Sequence, residues 1–205
     1  MVSEIRIYFE GGGNSRLLWR TLRRGFGQFL DPLRRLAQDR RIGWHLIPCG
    51  SRNETFKEFM IGLRTHPESF NVLLVDSERE VALPCWKHLE RWDRFAPPGI
   101  PEERCHFMVQ TVEAWLVADP ETLEKFYGKG FRRNVLPSQP DVEAIPKNDV
   151  LAALDRATSP TQKGKYKKIE HCAELLQRLD SSRVRSRARH CDLLFRTLEA
   201  MITAK

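Results

Sequence analysis

The chain has 205 residues, 41% of them hydrophobic and 30% charged, and carries a formal net charge of +7. A chain of this size can bury roughly 70% of its unfolded surface in one packed domain, and its ordinary apolar and charged fractions argue against wholesale disorder. No apolar run approaches transmembrane length, a strand pattern begins by Ile5, and five cysteines without a C-x-x-C argue against a secreted disulfide framework.

Glu4 to Phe9 alternates, with Ile5, Ile7 and Phe9 on one side and Arg6 and Tyr8 on the other, and predicts a strand. Glu10-Gly11-Gly12-Gly13-Asn14 breaks it. Ser15 can cap a helix to about Leu30 whose apolar stripe is Leu18, Leu22, Phe26 and Phe29. Pro32 permits a further helical turn to about Gln38. Ile42 to Pro48 predicts a second strand, and Asn53 can cap a helix to about Arg64. Val72-Leu73-Leu74-Val75 is continuously apolar, as in a strand covered on both faces, and stops at Asp76-Ser77-Glu78.

A Trp- and Pro-rich connection follows, with a helical turn near Trp86 to Arg91. Cys105 to Val109 is a fourth strand, which Thr111 to Val117 either continues or follows as a helix. Glu121 to Phe126, Asp149 to Arg156, His171 to Leu179 and Arg189 to Thr203 read as helices around a loop from Tyr127 to Pro146. The alternation of strand and helix predicts an α/β fold with a mostly parallel sheet over 1–118 and a helical C-terminal part over 119–205 packed on it.

Charge is unevenly spread. Ser15 to Arg41 holds eight arginines against Asp31 and Asp39, and Lys163 to Lys205 holds eleven basic residues against five acids. Basic segments around an acidic middle suit a polyanion, with solvated helix faces as the plainer alternative.

In open parallel sheets ligands bind beyond the carboxyl ends of the strands. Glu10, Asp76 and Glu78 are expected there, with Glu113 nearby. All-oxygen ligands suit Mg²⁺ or Mn²⁺ rather than Zn²⁺, and clustered acids repel unless a cation joins them. Helix capping is the alternative. Gly11, Gly12 and Gly13 leave backbone N–H groups open to a phosphate beside a helix N-terminus, but the run is neither a P-loop nor a dinucleotide fingerprint. Asn14, Arg16, Lys147, Lys165, Lys167, Lys168 and His171 are further phosphate-binding candidates. Cys85-x-x-His88 and Cys105-His106 lack regular zinc spacing. Trp86, Trp92 and Trp115 are expected in the core rather than stacked on bases.

The run I-x-I-Y-F-E-G-G-G-N followed by L-L-V-D-S-E resembles the Toprim signature, a glutamate and glycine after one strand and a D-x-D after a later one. Pro48-Cys49-Gly50, Arg52-Asn53, Met108-Val109-Gln110, Glu113-Ala114-Trp115, Ala118-Asp119-Pro120, Phe126-Tyr127-Gly128, Ile145-Pro146-Lys147 and Tyr166-Lys167-Lys168 extend the match through the chain. Together these motifs resemble the bacterial domain-of-unknown-function family numbered 4276. The resemblance implies a Toprim-like sheet, a Mg²⁺ site and phosphodiester chemistry on DNA or RNA. It implies Glu10 as general acid or base and Asp76 and Glu78 as metal ligands. Glu78 is one methylene longer than the usual aspartate, and Asn14 stands where relatives often carry an acid, which puts a second metal in doubt. By analogy with other Toprim proteins, the expected setting is cytoplasmic defence against phages and plasmids beside an AAA or SMC-like ATPase, with no membrane and with self-association left open. Two rivals remain: a non-catalytic adaptor for such an ATPase, and a nucleotide-binding regulator.

Overall fold

The computed structural model describes residues 2–11, 13 and 15–204. Among them are four strands and ten α-helices. The strands are β1 (Glu4–Phe9), β2 (Gly43–Pro48), β3 (Phe70–Asp76) and β4 (Cys105–Met108). They form one all-parallel sheet in the order β2-β1-β3-β4. The α/β fold expected from the alternation is present.

Each face of the sheet has its own helical cover. Ile5, Ile7 and Phe9 of β1, with Val72 and Leu74 of β3, pack beneath α1 (Arg16–Phe29) and α2 (Asp31–Asp39). The same apolar body takes in α5 (Glu113–Ala118), α6 (Pro120–Tyr127), α7 (Lys147–Thr158), α8 (Lys168–Leu176), α9 (Ser181–Arg187) and α10 (Arg189–Thr203). Trp115 of α5 stacks on Phe29 of α1 at 5.0 Å between ring centroids, and Phe195 of α10 meets Phe29 edge-on. The other face, with Tyr8, Leu73, Val75 and Phe107, is covered by α3 (Arg52–Thr65) and α4 (Cys85–Asp93). A strand apolar on both sides is the reason β3 is buried from end to end.

The structure corrects some expectations and decides others left open. The cap of α3 is Ser51, not Asn53. Its hydroxyl accepts from the Glu54 amide while the Glu54 carboxylate accepts from the Ser51 amide, a reciprocal capping box. Of the two readings left open for Thr111 to Val117, the helix is the one present: the Val112 amide bonds to Asp76, and the chain turns into α5. The segment Ser181–Arg187 is helical, capped by Asp180. Trp115 and Trp86 are buried as expected, but Trp92 is 46% exposed, with the Arg79 guanidinium 4.0 Å from its ring centre. Cys85 and Cys105 form a disulfide between α4 and β4, while Cys49, Cys172 and Cys191 are buried thiols. No helix among the described residues is long and apolar enough to cross a membrane.

His106 of β4 gives the fold a measurable pH dependence. Burial holds its imidazole down from 6.5 to about 4, although its Nε2 lies 3.0 Å from the Glu103 carbonyl, a contact that favours the charged form. The unfolded chain takes up a proton near pH 6.5 that the folded chain refuses until about pH 4. Stability is therefore intact above 6.5 and is lost as the pH falls toward 4, by about 3 kcal/mol from this residue. His106→Phe should flatten that acid limb. Urea unfolding at pH 7.5 and 4.5 checks it, and an equal fall in both proteins would exclude His106 as the cause.

Candidate functional site

β1 and β3 are neighbours, while β1 is followed in sequence by β2 on its other side. The crevice beyond β1 and β3 is thus the point where the strand order reverses, the usual ligand position in such sheets. Register fixes what lies there. Phe9 pairs with Leu74 and Asp76 with Met108, so Glu10 and Asp76 leave adjacent strands at the same edge. The Glu10 amide donates to the Leu74 carbonyl at 3.1 Å, and the Gly11 amide to Gly50 at 2.8 Å. Gly11 has φ +136°, a conformation that only glycine adopts readily.

The structure brings Glu10, Asp76, Glu78 and Glu113 into one charge cluster, in which three cations accompany them. Asp76 is 5% exposed. Its Oδ1 accepts from the Val112 amide at 2.9 Å, and its Oδ2 is 3.5 Å from Lys168 Nζ. Burial pushes its carboxyl up to about 7; Lys168 opposes this, whereas Glu10, Glu113 and Glu78 add to it. Glu10 is also raised, by burial first and by Glu78, against the pull of Arg52. Its Oε2 is buried without a hydrogen-bond partner among the described residues, 3.4 Å from Arg52 Nε.

Glu78 sits in the left-handed region at φ +64°, and its amide donates to the Gln110 carbonyl at 2.8 Å. That conformation turns its carboxylate toward Lys147 and, at 3.6 Å, Arg52. Burial works against its charge, but the Lys147 hydrogen bond and the two cations hold its pKa below the ordinary glutamate value. Glu113, the first residue of α5, is 1% exposed. It accepts from the Tyr166 hydroxyl at 3.1 Å and lies 3.3 Å from Lys168. Burial disfavours the Lys168 ammonium, yet Asp76 and Glu113 more than offset this and raise its pKa.

Arg52 belongs to the site, although sequence reasoning names it only within the motif Arg52-Asn53 and gives it no role. Only 13% exposed, it reaches Glu10, Glu78 and Asp93, the last at 3.1 Å, and donates to the Asp76 carbonyl. The sequence does carry one signal for it. An arginine at the first residue of a helix faces the positive end of the helix dipole, an unfavourable place unless carboxylates wait there. Tyr166 likewise stands out in the sequence only as part of a motif, although its hydroxyl fixes Glu113.

The remaining candidates divide. Gly11, Gly13 and Gly50 line the crevice beside Glu10 and Asp76, while Gly12 and Asn14 lie outside the described residues. Lys147 and Lys168 belong to the cluster. Lys165 pairs with Asp155 and Lys167 with Glu170, outside it. His171 Nδ1 is 2.9 Å from the Tyr127 hydroxyl and accepts from the Lys167 amide, so its contacts are with the helical part. Arg16 is exposed at the start of α1. Among the described residues no three His, Cys, Asp or Glu side chains are arranged as ready metal ligands. His88 contacts the Ser77 carbonyl and His106 that of Glu103, and Cys85 and Cys105 are joined, which leaves the irregular Cys/His pattern no zinc site.

A family model described as "Domain of unknown function (DUF4276)" matches residues 9–199. The chain belongs to this family. The matched DUF4276 span runs from just before Glu10 to well past Lys168, so it contains every member of the charge cluster. No curated protein and no solved structure matches the chain at a significant level.

Proposed function

We propose that this DUF4276 protein is a Toprim-like, divalent-metal-dependent nuclease that acts on DNA or RNA in the cytoplasm, in defence alongside an AAA or SMC-like ATPase. The observation that carries the reading is the convergence of Glu10 and Asp76 at the switch point of a parallel sheet, with Glu78 and Glu113 beside them. The donor types suit a hard cation, although binding one would require these side chains to turn from their present ion pairs, since no three of the described residues are arranged as ready ligands. All the donor atoms are carboxylate oxygens, Glu10 Oε2 lacks a hydrogen-bond partner among the described residues, and mutual repulsion helps hold the Asp76 carboxyl near 7. Glu10, Asp76 and Glu78 would hold Mg²⁺ or Mn²⁺, which supplies charge neutralisation to phosphate oxygens when bound.

The chain's own groups have distinct tasks. Glu10, with its raised pKa, can exchange a proton with an attacking or leaving oxygen. Lys168 neutralises charge beside Asp76, and Tyr166 keeps Glu113 oriented toward it. Arg52 braces Glu10 and Glu78. The test is incubation of purified protein with labelled single- and double-stranded DNA and RNA, with Mg²⁺, Mn²⁺ or EDTA. Cleavage that EDTA abolishes is expected. One observation favours a second reading: Arg52, Lys147 and Lys168 already pair with the acids and offset most of their charge. Such an ion-pair network suits an adaptor that keeps the fold to bind its ATPase. No cleavage with either metal, even with that partner present, would put the adaptor first.

Polyanion binding has its own expected outcome. Arg16, Arg20, Arg23 and Arg24 are exposed on α1, and none has an ion-pair partner among the described residues. Replacing Arg16, Arg20 and Arg23 together by glutamine should lower the salt slope of single-strand binding by about 2, since each phosphate contact contributes about 0.7. Filter binding across a salt series measures it, and an unchanged slope would remove α1 from the interface.

A further inference from the structure

The apolar stripe of α1 is only half used by the core. Phe26 and Phe29 are each 1% exposed, but Leu18 and Leu22, on the same side, are only partly buried. They face a cavity of about 400 Å³ between α1 and α8, which falls within the range of small-molecule sites, about 300–1,000 Å³. The two helices touch at Gly25 and Ala173, where a Cβ on Gly25 would meet the Ala173 carbonyl at 2.8 Å. Toward the carboxyl edge of the sheet the first turn of α8 stands across the cavity from Leu18 and Leu22, with Ile169 70% exposed on it. Glu10, Asp76 and Lys168 line the polar end of the cavity, and Leu18, Leu22, Phe26, Met108 and Ile169 its body.

Taking the nuclease reading as its basis, we infer that this cleft receives one unstacked nucleobase next to the scissile phosphate, so that the substrate is single-stranded nucleic acid. The cavity is continuous with the carboxylates, so it has room for a group directly attached to whatever lies at them. For a phosphodiester that group is an adjoining nucleoside. The walls offer little hydrogen-bonding choice. The Thr21 hydroxyl donates to the Leu17 carbonyl within its own helix, and Ser15 Oγ accepts from the Leu18 amide. Such walls take the faces of a base and tolerate any base, as stacking platforms for single strands do. A duplex could fill the cleft only by flipping a base out, at the cost of unpairing it. The arginines of α1 named above lie on the opposite face of that helix from Leu18 and Leu22, so they could meet only nucleotides that pass around it, away from the cleft.

The experiment uses twelve-residue DNA and RNA oligomers carrying one 2-aminopurine, single-stranded or annealed, titrated with the full-length protein in EDTA so that binding is read without cleavage. Single strands should bind about tenfold tighter than duplexes, and the fluorescence of the probe should change as its base leaves the stack. Thr21→Phe, which places a ring in the cleft, should lose about tenfold for the single strand, leave the salt slope unchanged, and abolish the fluorescence change. Leu18→Trp is the second variant, and thermal melting shows that both fold. If both variants bind and report as wild type does, the cleft does not hold a base. Equal binding of single and double strands would overturn the inference as well. Wild-type cleavage combined with unaffected variants would overturn the cleft while leaving the nuclease reading in place. Base-dependent binding lost in the variants, without cleavage under any metal, would support the cleft and sink the nuclease.

Discussion

Arg52→Ala should destabilise the fold by about 3–5 kcal/mol, the range found when one partner of a buried ion pair is removed. Arg52 is 13% exposed and serves Glu10, Glu78 and Asp93 together, so its loss leaves carboxylates facing one another with less compensation. The Asp76 carbonyl also loses its guanidinium donor. Arg52→Lys keeps the charge but not the planar fork that reaches several acceptors, and should recover only part of the loss. Adding Glu10→Gln to Arg52→Ala should restore some stability, because one of the stranded charges is then gone. Urea unfolding at neutral pH measures all three. A loss below about 1 kcal/mol for Arg52→Ala, the scale of an exposed pair, would mean that water replaces the arginine easily and that the site is more open than its burial indicates.

Glu10→Gln should reduce metal-dependent cleavage by at least about a hundredfold, the scale of a lost general acid or base, while leaving the melting temperature equal or higher. Glutamine matches glutamate in size but accepts no proton near neutral pH and is a poor ligand for a hard cation. The stability half of the prediction comes from the cluster itself. Glu10 is raised by burial and by Glu78, so its negative charge is a cost to the folded state that the amide removes. Asp76→Asn should behave similarly in activity, but its Oδ1 accepts the Val112 amide, and a flipped amide would lose that bond. An active Glu10→Gln would remove the assigned role. An inactive one with a much lower melting temperature would make Glu10 a structural residue instead.

Much of this site is legible in the amino-acid sequence alone. The alternation at Ile5, Ile7 and Phe9 and the apolar run Val72 to Val75 mark the two central strands, and acids that stop such strands abruptly mark the edge where Glu10, Asp76 and Glu78 meet. Convergence needs one further fact, that β1 and β3 are neighbours, which strand order alone decides. Asn53 is the expected cap of α3 because asparagine is a strong cap; Ser51 takes the position because Glu54, three residues on, can answer it. The role of Arg52, which the sequence shows only as part of a motif, is hidden because its three carboxylate partners come from three distant segments. The cleft is hidden because Leu18 and Leu22 have the same spacing as Phe26 and Phe29, and periodicity cannot tell a covered stripe from one that lines a cavity. Lys165 and Lys167 are candidates by charge, yet their nearest acids, Asp155 and Glu170, satisfy them locally.

The cluster is built from both ends of the chain, and this orders its assembly in time. Glu10, Arg52, Asp76, Glu78 and Glu113 all precede residue 119, whereas Lys147, Tyr166 and Lys168 follow it, and α10, the last helix, packs against Phe29 through Phe195. A chain still being translated therefore carries the acids before it carries two of the three cations that pair with them. On the nuclease reading proposed above, this ordering would have a use: the nascent chain, held beside ribosomal and messenger RNA, would have an unfinished centre until the segment that carries Tyr166 and Lys168 has been made.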